Sequence, residues 1–372
     1  NMNILFFVHT PFQLFVSQQI IYQEKYENVT FLLGTIGENH AFYDAFHLML
    51  KGTHIKHVVY KMNGLAQWAS LSRKRLLFDM YGTYVRERKI RNILNKEKID
   101  MIYMGDMNNL SCKFGALLYA RLGFKIGFYE EGISHYYWAQ YSDKYPFVNL
   151  LLAKLTDYFF YKPIWHFSFG KYMFNKAQLP FCDLPMNKRY SILPKYNDSF
   201  DIQLHLRAVE NKELEGYIMA DISGYDKSCN VTLFLSEPLF KNGIGDEEIC
   251  LDVIENYLKL DVETDLFLLK YHPREKEVMK KKIEKLFIRY GKEYRILSSS
   301  VTLPIELYLL YLSPKNMVLF LTSTFLYIKY LSPQTRVKML VHDYVLQCSK
   351  RGYDVSPLKR TMEELGLQIL EA

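Results

Sequence analysis

The apolar positions of this 372-residue chain fall into two series of short β-type runs and helical repeats, separated by a polar, poorly periodic stretch. In the first series, β-rich runs at Asn3–Val8, Val29–Leu33, Ile55–Tyr60, Ile99–Met104 and Lys125–Tyr129 alternate with helical patterns at Pro11–Glu24, Arg73–Asn95 and Asn108–Leu122. In the second, strands are expected at Val231–Leu235, Leu266–Tyr271, Tyr294–Leu297 and Met317–Leu321. Helices are expected there at Asp246–Leu258, Glu275–Tyr290, Pro304–Leu312 and from Ser323 to Tyr330. Alternating βα units predict parallel, doubly wound sheets. The chain therefore divides into an N-terminal Rossmann-like domain (1–190), a junction (191–230) and a C-terminal Rossmann-like domain (231–372). Domains of roughly 100–200 residues agree with that division.

Composition adds little to the fold and more to the chemistry. An apolar share of 49% is enough for two cores, and 30 Tyr and 25 Phe suit sugar-binding clefts or membrane-interface surfaces as well as an AT-rich genome. The net charge of +7 favours anionic partners. Helix-turn-helix, zinc-finger and RNA-binding signatures are missing, so nucleic acid is not expected as a partner. Cys112, Cys182, Cys229, Cys250 and Cys348 are scattered and odd in number, as free thiols in a reducing cytoplasm would be. The first apolar run, Ile4–Val8, is a short strand rather than a signal peptide. The aromatic stretch Tyr145–Phe169 is broken by Lys154, Asp157, Lys162 and two prolines, too often for a span of about 20 apolar residues. It is expected to be a buried helix plus strand, or a surface that touches a membrane.

Several short motifs sit where strands give way to helices. Lys270-Tyr271-His272-Pro273-Arg274 follows an apolar strand and precedes a helix expected near Glu275. A histidine there can donate to a phosphate and protonate a leaving oxygen, although a lone His-Pro is more often a cap or a core residue. Thr322-Ser323-Thr324 offers hydroxyls and N–H groups at a helix start, the chemistry of an N-cap and also of a phosphate cradle. Glu306, in a first helical turn, complements the helix dipole or accepts both ribose hydroxyls. Glu130-Glu131-Gly132 follows a strand in the N-terminal half, where one carboxylate can act as a general base. The strand before Gly105-Asp106 ends in a similar ligand-facing loop. A DxD metal clamp and Walker or dinucleotide glycine loops are not found, so no metal or cofactor is expected.

Taken in order, these motifs resemble those of bacterial sialyltransferases of glycosyltransferase families 52, 38 and 80, most of all the family 52 and capsular polysialyltransferase-like group. The resemblance rests on Glu130-Glu131-Gly132, His272-Pro273 and Ser323-Thr324, on Phe7-Val8-His9-Thr10-Pro11-Phe12-Gln13-Leu14, on Leu235-Ser236-Glu237-Pro238-Leu239 and on Lys270-Tyr271-His272-Pro273-Arg274-Glu275. It covers the chain from Leu5 to about Leu331. It implies an α/β fold of GT-B type, with two Rossmann-like domains whose parallel sheets face a central cleft. It implies an inverting, metal-independent transfer of sialic acid from CMP-sialic acid to a galactose or sialic acid acceptor of a bacterial capsule, lipooligosaccharide or O-antigen.

Carried over residue by residue, the resemblance makes Glu131 the general base and His272 the acid, with Glu237 and Glu130 as alternative bases. Lys270, Pro273, Glu306, Ser323 and Thr324 would bind the CMP donor, and Asp106, Thr10 and Gln13 other substrate groups. A cytoplasmic enzyme, peripheral on the inner membrane, is the expected setting. Arg73-Lys74-Arg75 or Lys280-Lys281-Lys282 would then face the acceptor or the membrane, unless they are simply solvated helix faces. Two other readings stay open: a GT-B enzyme using a nucleoside-diphosphate sugar, and a non-catalytic binding protein for glycan assembly.

Overall fold

The structure is a computed structural model that describes residues 2–34, 41–62, 76–105, 110–132, 151, 154–155, 158–159, 162–166, 186–193, 201–208, 210–223, 228–242, 245–298 and 300–364. The chain forms two compact units, Asn1–Glu210 and Asn211–Ala372.

The first unit runs β1 (Asn3–Val8), α1 (Pro11–Glu24), β2 (Asn28–Leu33), α2 (Ala41–Leu50), β3 (His57–Lys61), α3 (Leu76–Lys96), β4 (Met101–Met104), α4 (Leu110–Arg121), β5 (Lys125–Tyr129), α5 (Lys162–Trp165), β6 (Lys188–Ser191) and β7 (Asp201–Gln203). Its strands form one sheet in the order β3-β2-β1-β4-β5-β6-β7, every pair parallel. β1 is apolar at nearly every position because both of its faces are covered. Leu5 and Phe7 pack with Leu32, Ile90, Leu94 and Tyr119 in one core cluster. The Phe6 ring stacks on Tyr103 of β4 at 4.8 Å and packs against Phe31 of β2.

The second unit runs α6 (Lys212–Asp221), β8 (Val231–Leu235), α7 (Glu247–Leu260), β9 (Leu266–Lys270), α8 (Glu277–Arg289), β10 (Tyr294–Ile296), α9 (Ile305–Leu309), β11 (Asn316–Leu319), α10 (Thr324–Leu331), β12 (Arg336–Met339), α11 (Val341–Lys350) and α12 (Ser356–Glu364). Its parallel sheet has the order β10-β9-β8-β11-β12. The Phe234, Phe267 and Phe287 rings meet edge to face in its core.

Both sheets reverse their order beside their first strand, between β1 and β4 and between β8 and β11. Open α/β sheets bind ligands outside the carboxyl ends of the strands at such a reversal. Two Rossmann-like units of this kind are the parts of the expected GT-B fold.

The stretch 191–230, read from the sequence as a junction, contains the boundary between the units but also β7 and α6. β7 is three residues long and has no periodicity of its own. A two-pronged pair from buried Arg189 on β6 to Asp201 holds it, with N···O distances of 2.5 and 2.9 Å. The rich tyrosine content also has a plainer use than the sequence suggested. Tyr103, Tyr119, Tyr129, Tyr190, Tyr308, Tyr327 and Tyr344 are fully buried. Several of their hydroxyls have partners inside the fold, such as Tyr26 for Tyr103 and the Phe7 carbonyl for Tyr129.

Candidate active site

In the second unit the carboxyl ends of β8, β9 and β11 lie side by side because Leu235 is in register with Lys270 and Phe234 with Val318. The residues that follow each strand therefore converge. The Ser236 N–H donates to the Lys270 carbonyl (3.1 Å), and its hydroxyl accepts the His272 N–H (3.3 Å). Glu237 reaches across the reversal, its Oε2 accepting the Leu321 N–H beyond β11 (2.9 Å). Burial pushes the Glu237 carboxyl up to about 7, and nearby Glu275 pushes the same way against that hydrogen bond.

The His272 ring is oriented by its own turn. The Arg274 N–H donates to Nδ1 at 3.1 Å, so a neutral ring carries its proton on Nε2. The Glu275 N–H closes the turn on the His272 carbonyl (2.8 Å). Helix α8 starts only at Glu277, behind Lys276 and two residues later than the sequence suggested, and Pro273 lies in this turn. The turn replaces the expected helix start because two N–H groups that a helix would leave open are already satisfied within it.

Behind this turn lies a buried polar group of three. Thr324 Oγ1 donates to Glu306 Oε1 at 2.8 Å, and the Lys270 ammonium lies in their field. Burial raises the Glu306 pKa, opposed by the Thr324 hydroxyl and by Lys270. Burial lowers Lys270 to about 8, with Glu306 and Asp221 acting against the shift and Lys280 with it. Asp221, at the end of α6, accepts from the Tyr308 hydroxyl (2.5 Å) and the Ser298 N–H (2.8 Å). Ser323 occupies the cap position of α10, yet its side chain makes no capping bond. The Ser323 hydroxyl is therefore not an ordinary N-cap.

In the first unit, Thr10 caps α1 by accepting the Gln13 N–H (3.2 Å), with Pro11 at the helix start. Gln13 bends back so that its Oε1 accepts the His9 N–H at 2.5 Å. At the end of β5 the two acids part company. Glu130 is fully buried, and its Oε2 accepts the Ile192 N–H at 2.6 Å, tying β5 to the chain after β6. Glu131 is half-buried, and Gly132 turns the chain with φ 108° immediately after it.

The sequence profile of the family described as Alpha-2,8-polysialyltransferase (POLYST) matches residues 4–342. The chain belongs to this family. No curated relative matches it significantly. Among solved structures it is similar to UDP-GlcNAc 2-epimerase from Methanocaldococcus jannaschii (12% identity, 98% of this chain and 99% of that one, TM-score 0.47). It is also similar to a glycosyltransferase from Rickettsia africae ESF-5 (9%, 99% and 90%, TM-score 0.45). A third similar structure is the spinosyn rhamnosyltransferase SpnG with thymidine diphosphate (10%, 98% and 91%, TM-score 0.44). At this level the three structures carry no functional argument.

As a member of the polysialyltransferase family the chain is a glycosyltransferase, and its motif residues can be sorted on that footing. Lys270, His272, Pro273, Glu306, Ser323, Thr324 and Glu237 follow or lie among the strand ends of the second unit. Thr10, Gln13, Glu130 and Glu131 follow strands of the first. Asp106 and Arg73-Lys74-Arg75 lie outside the described residues. Lys280 pairs with Glu277 (2.5 Å) and Lys282 with Glu247, so two of the three lysines proposed to face an acceptor or membrane already have carboxylate partners. Sequence reasoning missed Asp221, which lies in the supposed junction, and His9. The signal for His9 was available: a polar residue directly after an unbroken apolar strand.

Proposed function

We propose that this protein is a sialyltransferase that moves sialic acid from CMP-sialic acid to a galactose or sialic acid acceptor, with inversion and without a metal. The observation that carries the reading is the convergence of His272, Ser323 and the Lys270–Glu306–Thr324 group beside the sheet reversal of the second unit. On this reading the CMP phosphate lies against the first N–H groups of α10 and the Ser323 hydroxyl. His272 Nε2–H protonates the leaving phosphate oxygen as the bond to the anomeric carbon breaks. Lys270 and Glu306 hold the base and ribose. The acceptor belongs to the first unit, where Glu131 takes the proton from the attacking hydroxyl. Glu130 is the weaker candidate because the Ile192 N–H occupies it. Glu237 is the alternative base, since a carboxyl that titrates near 7 exchanges protons readily at neutral pH. A single displacement inverts the anomeric centre.

The test is CMP release from CMP-sialic acid with EDTA present, with and without lactose or oligosialic acid. Release stimulated by an acceptor supports the reading. No release from folded protein with any acceptor refutes it and favours another sugar nucleotide or a binding role.

Among the described residues no helix is long and apolar enough to cross a membrane. Leu151, Leu155, Tyr158, Phe159 and Ile164 are nonetheless each at least 40% exposed, with Lys154 and Lys162 between them. We assign this segment to peripheral contact with an anionic membrane surface. Loss of co-sedimentation with phosphatidylglycerol vesicles in a Tyr158→Ser, Phe159→Ser variant is the expected result; unchanged sedimentation removes the assignment.

A further inference from the structure

The reversal of the first sheet holds two buried polar atoms without a partner among the described residues. Gln13 is fully buried and His9 is 5% exposed, and neither Gln13 Nε2 nor His9 Nδ1 has a hydrogen-bond partner among the described residues. Buried polar atoms are otherwise almost always paired, so two such atoms in one turn call for an explanation. The orientation of the amide is not ambiguous. The His9 N–H can donate only to an oxygen, which fixes Oε1 on it and leaves Nε2 as the orphan. Nε2 points across the reversal, for a Cβ added to Gly105 at the end of β4 would lie 2.8 Å from it. That same Cβ would lie 2.9 Å from the Tyr129 ring, whose hydroxyl is anchored on the Phe7 carbonyl (2.5 Å). Gln13, Gly105 and Tyr129 thus form a fixed wall at the place where such sheets bind ligands.

The two orphans define the chemistry of a ligand. Gln13 Nε2 is a donor. His9 is uncharged, because burial lowers it to about 4, and a neutral imidazole can leave the Nδ1 lone pair as an acceptor. A donor and an acceptor in one turn, closed by the His9 N–H on Gln13 Oε1, match a single hydroxyl, which accepts and donates at once. A carboxylate or phosphate brings no proton for Nδ1 and meets no positive charge on the ring. We infer that Gln13 Nε2 and His9 Nδ1 together read one hydroxyl group of the acceptor sugar at the crevice between β1 and β4. The inference rests on the assignment of the acceptor to the first unit.

The experiment measures transfer to lactose and to lactose lacking single galactose hydroxyls. It uses the full-length wild type, Gln13→Glu, His9→Asn and His9→Phe, with melting curves to confirm folding and CMP binding measured without acceptor. Gln13→Glu keeps the oxygen for the His9 N–H and removes the donor. Asn at position 9 places a polar atom near the site of Nδ1, and Phe does not. The expected result is an acceptor KM raised about tenfold in Gln13→Glu and His9→Phe, the worth of one hydrogen bond, with partial recovery in His9→Asn. One deoxy acceptor should show the same loss with the wild type and no added loss with Gln13→Glu, the mark of a direct pair. Unchanged KM values, or deoxy penalties equal in wild type and variant, overturn the inference and leave the pair as holders of an interior water. A wild type that transfers to no acceptor removes the proposed function and this subsite with it, an outcome distinct from an active wild type with insensitive variants.

Discussion

Both sheets present a reversal of strand order spanned by a side chain from the residues after the first strand, yet the two crevices have opposite character. In the second unit the bridging group is the Glu237 carboxyl, bound to the Leu321 N–H and close enough to Glu275 to feel its charge. In the first it is the Gln13 amide, beside an uncharged His9. The same backbone plan thus brings ionisable groups to the reversal of the second unit and, among the described residues beside the strand β1, an amide and an uncharged imidazole to that of the first. Charge is what a leaving phosphate needs, whereas a sugar hydroxyl needs only a donor and an acceptor in fixed places. The comparison teaches that the fold supplies two equivalent places and a few side chains decide what each can hold.

The largest expected effect lies in the ionisable crevice. His272→Ala should lower acceptor-stimulated CMP release by about 10²–10⁴-fold, the usual worth of a general acid, with an unchanged circular dichroism spectrum. Equal loss of fold and activity would place the residue in the structure instead of the chemistry.

The second prediction separates two neighbours in the other unit. Glu131→Gln should lower transfer about 10²-fold or more while the melting temperature stays put. Glu130→Ala should do the reverse in kind, destabilising the fold by about 1–3 kcal/mol because the Ile192 N–H loses its acceptor. If urea unfolding shows the two variants equally destabilised, the division of labour between the acids is wrong.

The smallest effect concerns pH. The folded Glu237 carboxyl titrates near 7, above its ordinary value of 4.5. The folded state therefore holds a proton that the unfolded state releases, and this contribution to stability is lost as pH rises from about 4.5 through 7. Glu237→Gln should lessen that loss, leaving the variant about 1–3 kcal/mol more stable relative to wild type at pH 8 than at pH 5. Parallel pH–stability curves for the two proteins would show that the carboxyl is solvated after all.

Much of this arrangement could be read from the residues. β1, α1, β5 and β8 have the bounds that the apolar pattern predicts, because buried parallel strands and a capped helix write their limits in local sequence. Pro11 and Thr10 mark the start of α1 without help from the rest of the chain. The short strands β6 and β7 and helix α6 were not legible. The two strands depend on neighbouring strands and on pairs such as Arg189 with Asp201, whereas α6 carries a local cap, Asn211, inside a stretch too polar to show its period. The same holds for the start of α8, where a turn closed by Arg274 and Glu275 displaced the helix expected at Glu275.

The sequence alone determined the class of fold, the ordered motifs and so the family, since hydrophobic period and residue identity are local properties. Only the tertiary structure decided what those motif residues face. It separated buried Glu130 from Glu131, joined Thr324 to Glu306, turned His272 so that its proton belongs on Nε2, and left Gln13 and His9 with unused hydrogen-bonding capacity. The physical reason is that burial and hydrogen bonding depend on strand register and on contacts between residues tens of positions apart, which no short window of sequence contains.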